Sequence, residues 1–191
     1  MKERGMIFNG EMVRAILDGR KTQTRRPIKW KQTRFTEIGE REDGSKWPWS
    51  EDAEHACDFW HPCPFGAVGD RIWVRETWAR YNIDQNSYDI AYRATTPENW
   101  PEEGRWRPSI HMPRWASRIL LEITNVRVER LNAISQEDAQ AEGMELTGWR
   151  PTYSDPDSGG EVMTPYDNFA ELWSSIYGEG SWKADPWVWV I

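Results

Sequence analysis

Residues 16–26 read ILDGRKTQTRR, and the fold follows from how this stretch is divided. Its first half closes an apolar segment, EMVRAILDG, in which Met12, Val13, Ile16 and Leu17 fall on one helical face. Asn9 is placed to cap that helix and Gly19 to end it. Its second half opens a basic loop. From Arg20 to Arg34 there are seven Lys or Arg and no Asp or Glu. The remaining chain then holds 24 − 7 = 17 basic against 31 acidic residues, in a protein of net charge −7. Charge that opposes the global sign in one place concerns a partner or substrate more than solubility.

Outward from this loop, GDRIWVRETW (69–78) has the alternation of a strand, with Ile72, Val74, Glu76 and Trp78 on one face. A carboxylate in that company needs a partner, and an arginine is expected for Glu76. Residues 117–128 form the longest β-rich run. ISQEDAQAEGM reads as a short helix with Ser135 as N-cap, Asp138 at the third position as a variant capping box, and Gly143 as its stop. YDNFAELWSSIYG carries Phe169, Leu172, Trp173 and Ile176 on one helical face, and WVWVI is a short apolar strand. The stretches 31–64, 82–108 and 147–165 show no period and are expected as loops. The fold class is α+β, a small antiparallel sheet or barrel with helices at its rim, in a single domain over residues 1–191.

Bulk properties bound the function classes. Mean hydropathy is −0.82, and no run approaches the roughly 20 apolar residues of a bilayer span. MKERGMIFNG has no apolar signal region, and the two cysteines do not make a disulfide framework, so a cytoplasmic protein is expected. Fourteen Trp stand against five Phe and six Tyr; most belong in the core, and exposed ones would offer faces for base stacking. Cys57, His61 and Cys63, with His55 nearby, lack a standard zinc spacing, and no nucleotide-loop or hydrolase motif is present; no metal or cofactor is expected. In the basic loop, Lys21 and Thr24 could form a nucleophile and its base, provided the lysine's pKa is lowered. On residue types alone, phosphate binding by the same side chains is favoured.

ILDGRKTQTRR, followed by GDRIWVRE, by PSIHMPRWASRI (108–119) and by AEGM (141–144), resembles the ASCH domain family of the PUA-like superfamily, especially members carried by phages and prophages. The resemblance implies a PUA-like β-barrel with flanking helices, with insertions near 30–65, 80–108 and 147–165. It implies a nucleobase, nucleoside or RNA ligand. The small N4-acetylcytidine amidohydrolases of this family are similar at the loop, and their Thr, Lys and Glu match Thr24, Lys21 and Glu142. By that likeness Thr24 attacks the amide carbonyl, Lys21 is the base, and Glu142 holds Lys21. Arg20, Thr22, Arg25, Arg26, Glu76, His111, Arg114 and Trp115 are the expected substrate contacts. Whether Glu76 or Glu142 partners Lys21 stays open. The alternatives are a non-catalytic module for RNA or single-stranded nucleic acid and, last, a metal-independent ribonuclease; no membrane partner is expected.

Overall fold

The computed structural model describes residues 1–29, 37–52, 57–81, 89–101, 104–145, 149–150 and 161–191. In chain order the elements are β1 (Glu3–Ile7), α1 (Gly10–Leu17), β2 (Arg25–Pro27), β3 (Glu37–Glu40), β4 (Lys46–Asp52) and β5 (Cys57–Trp60). Then come β6 (Arg71–Arg75), β7 (Trp78–Tyr81), β8 (Asp89–Tyr92), β9 (Leu120–Glu122) and β10 (Arg127–Arg130). The last are α2 (Gln136–Ala141), β11 (Trp149–Arg150), β12 (Glu161–Val162), α3 (Pro165–Tyr177) and β13 (Trp187–Val190). The class is α+β, and among the described residues the sheets are small and none closes into a barrel. No described helix is long and apolar enough to cross a membrane.

The chain divides into two compact units, Met1–Gly19 with Phe65–Thr124, and Arg20–Pro64 with Asn125–Ile191. In the first, β6 is central, parallel to β1 and antiparallel to β9. β1 has no counterpart in the expected elements, because ERGMI has a glycine and two charged residues and too few apolar ones to show a strand period. Gly5 faces Trp73 across that pair, where an added Cβ would lie 2.6 Å from the indole. The alternation expected for 71–78 holds in burial: Ile72, Val74, Glu76 and Trp78 are all buried. It is not one strand, however, since pairing stops at Arg75 and resumes with β8 at Trp78. Trp78, Met112 and Ala116 pack together there.

α1 starts where expected: the Asn9 side chain accepts from Met12 N at 2.8 Å, and Gly19 takes φ +73° beyond the last turn. Its buried face is Met12, Val13 and Ala15; Leu17 is exposed, being the last helical residue before the Asp18 cap.

In the second unit β13 is central, antiparallel to β10 and β2. Its Val188 and Val190 meet Leu131, Ile134, Ala139, Phe169 and Trp173 in one core. Thr164 and Asp167 form a full capping box that starts α3 one turn-residue earlier than the apolar pattern implies. Ile176, expected on the core face, is exposed at the helix end. The 31–64 stretch, expected as a loop, contains the antiparallel sheet β3–β4–β5, with Trp49 paired to Trp60. Two-sided aromatic strands hide the period-2 signal. The 117–128 run is also divided: β9 belongs to the first unit and β10 to the second, separated by the crossing at Thr124–Asn125.

Candidate active site

The site lies within the second unit and is built from the loop before β2, the strand β10 and the end of α2. Ser135 Oγ accepts from Asp138 N at 3.0 Å and starts α2; Gly143 at φ +95° ends it. That short helix presents Asp138 and Glu142 one turn apart. Its last carbonyls dock the loop: Thr22 N and Gln23 N donate to Ala141 O at 2.7 and 3.0 Å, and Lys21 bridges to Glu142 through the backbone.

Lys21 is thereby drawn inside. Its side chain is 2% exposed, and Nζ donates to Glu142 Oε2 at 2.6 Å, to Gln23 O at 2.8 Å and to Glu142 O at 3.0 Å. An ammonium has three protons, so none is left for a phosphate. The expectation that this lysine cradles phosphate is therefore corrected. Burial, the largest influence, pulls the Lys21 pKa below the usual lysine value; Glu142 pushes back by charge and hydrogen bond, while Arg26 and Arg25 act with burial.

Arg25, expected to hold a ligand, instead holds carboxylates. Its side chain is 0% exposed; Nη1 reaches Glu142 Oε1 at 3.2 Å, and Nη2 reaches Asp138 Oδ2 at 2.9 Å and Glu129 Oε2 at 3.2 Å. Arg127 pairs with Glu129 and with Asp138 Oδ2, the latter at 3.0 Å. Gln23 Nε2 donates to Asp138 Oδ1 at 2.9 Å. Three cations, Lys21, Arg25 and Arg127, thus face three carboxylates, Glu129, Asp138 and Glu142. Balance of this kind is what lets charges stay buried. Asp138 is not the reciprocal arm of a capping box as expected. Burial alone would raise its pKa, but the Gln23 hydrogen bond, Arg25 and Arg127 outweigh that and hold it below the ordinary carboxylate value. Among the described residues Arg25 Nε, also buried, has no partner, while both terminal nitrogens are used.

Thr24 is 6% exposed, and its backbone exchanges two hydrogen bonds with Ile191, at 2.9 and 3.1 Å. Among the described residues none hydrogen-bonds its hydroxyl. Arg20 donates to Gly143 O at 3.0 Å and pairs with Glu145 at 3.4 Å; Thr22 is exposed, and Arg26 is half-buried on β2.

Glu76, His111, Arg114 and Trp115 lie in the first unit. Glu76 is buried and paired in a fork with Arg118, both contacts 2.9 Å, so Glu142 and not Glu76 is the partner of Lys21. Arg118 also bonds Thr95 at 2.9 Å and lies 4.0 Å over the Tyr92 ring. Arg114 pairs with Glu3 at 2.8 Å. His111 sits in a 3-10 turn, Ser109–His111. Trp115 is 60% exposed, edge-on to buried Trp78, with Arg80 over its ring at 5.4 Å.

Gln23, Arg127, Glu129 and Asp138 were missed by motif. The signals for them are the i, i+4 spacing of Asp138 and Glu142 and the i, i+2 spacing of Arg127 and Glu129 on one strand face. Among the described residues no three His, Cys, Asp or Glu converge as metal ligands would. Cys63 is buried, and His61 Nε2 lies 2.9 Å from Ser50 Oγ; His55 falls outside the described residues. In comparisons with known proteins, no family model, no curated sequence and no solved structure matches the chain.

Proposed function

We propose that Lys21, Thr24 and Glu142 form an amide-hydrolysing site of the ASCH type, which removes an N-acyl group from a modified pyrimidine nucleoside. The observation that carries this reading is the buried 2.6 Å contact of Lys21 Nζ with Glu142 Oε2, in a loop whose Thr24 hydroxyl is left unbonded by described residues. Neutral Lys21 takes the Thr24 proton as Oγ1 attacks the acyl carbonyl. Collapse of the tetrahedral intermediate breaks the C–N bond, and Lys21 returns the proton to the departing exocyclic amine. A water, deprotonated by Lys21, then attacks the acyl-threonine; as the acyl C–Oγ1 bond breaks, Lys21 returns the proton to Thr24 Oγ1 and the acid leaves. Glu142 orients the amine throughout. With this reading go a PUA-like fold, a nucleoside that is free or carried in RNA, and a cytoplasmic setting.

Incubation with N4-acetylcytidine, followed by chromatography for cytidine, tests it. Turnover is expected, falling by a factor of at least about 100 in K21A, as loss of a general base does. No turnover, or turnover that survives K21A, overturns the proposal.

A further inference from the structure

We propose that Arg25 is a positioning residue: clamped by Asp138 and Glu129, its guanidinium takes one oxygen of Glu142 and leaves the other for the Lys21 amine. The inference deepens the amidohydrolase reading and rests on it for the meaning of Lys21, though not for the geometry. Arg25 is already neutralised by the carboxylates that Nη2 meets, Asp138 at 2.9 Å and Glu129 at 3.2 Å. Its reach from Nη1 to Glu142 Oε1 at 3.2 Å is therefore beyond what its own burial requires. Gln23 Oε1, at 3.3 Å from the same nitrogen, completes the fork and ties it to the loop that carries Lys21.

The consequence is chemical. In an isolated buried Lys–Glu pair, deprotonation of the lysine strands an unpaired carboxylate, so the lysine keeps its proton. Here Glu142 retains a cation partner when Lys21 is neutral, and Lys21 can act as a base without that penalty. The charged groups around the pair all belong to one set: Arg25 and Arg26 on β2, Arg127 and Glu129 on β10, and Asp138 on α2. Arg20 and Glu145 flank it at the end of α2, where Arg20 also bonds Gly143 O.

The test follows the Lys21 titration by NMR of its 13Cε and 15Nζ nuclei in the full chain, the signal being assigned by K21R. Removing the cation in R25Q is expected to raise the Lys21 midpoint by about one pH unit, a tenfold change in proton affinity. If R25Q fails to fold, R25M/D138N removes one charge of each sign, and its midpoint is expected to lie above that of D138N alone, which keeps Arg25 and serves as its reference. R25K, which keeps a cation without the fork, recovers part of the shift. An unchanged midpoint in folded R25Q, or one in R25M/D138N no higher than in D138N, overturns the positioning role. A midpoint that moves in a protein that hydrolyses no amide keeps that role and removes the amidohydrolase reading.

Discussion

Lys21 spends all three ammonium protons on Glu142 and on two backbone carbonyls, and burial dominates its titration. Its folded pKa lies below the ordinary 10.5, so between the two values the unfolded chain binds the extra proton. Stability therefore rises with pH across that window, because unfolding takes up a proton. Urea unfolding measured in steps from neutral pH to about 10.5 is expected to show this rise, and K21M to remove it. A wild-type curve no steeper than that of K21M would refute the lowered pKa. Catalysis by neutral Lys21 has the same sign, with activity rising with pH in the same window. Glu142→Ala strands the buried Lys21, whereas Arg25 keeps Asp138 and Glu129. Breaking a buried pair on one side costs about 3–5 kcal/mol, and a midpoint shift of that size in urea is expected.

At the scale of elements, α2 and its C-cap position two of the three carboxylates, Asp138 and Glu142, with a helix of only six residues, Gln136–Ala141. So short a helix depends on its cap. Ser135→Ala is expected to lose about 1 kcal/mol in denaturant unfolding. It should also loosen Asp138, whose backbone N–H the serine holds. Equal stability of S135A and wild type would show that the Gln23, Arg25 and Arg127 contacts hold α2 without its cap. The caps of α1 and α2 and the burial of Ile72, Val74, Glu76 and Trp78 were legible in the sequence, because local chemistry decides them. The division of 117–128 was not, since pairing partners far along the chain end β9 and begin β10. Likewise Lys21 and Glu142 were readable as a pair only by resemblance. Arg25, Glu129 and Asp138 meet across more than 100 residues, and no local pattern records such a meeting.

Across the whole molecule, the chain passes between its two units three times, so neither is a contiguous stretch that could be cut free. This matters for the basic run that opposes the net charge of −7. Within the described part of the run, Lys21 and Arg25 are buried on carboxylates, so at most five of the seven basic residues can meet a polyanion. Single-strand binding loses about 0.7 in log K per decade of salt for each phosphate neutralised. Up to five such contacts give a slope of at most about 3.5, and all seven basic residues of the run would give about 5. Fluorescence anisotropy with a labelled single-stranded RNA between about 50 and 200 mM salt separates the two. The shallow slope is expected if the loop's main work is done at Lys21. A slope near 5 would instead mean that the buried cations turn outward on binding, and would favour a nucleic-acid module over a hydrolase. A W115A variant adds a second readout on the other unit: if the exposed Trp115 indole stacks on a base, its loss weakens binding at every salt concentration.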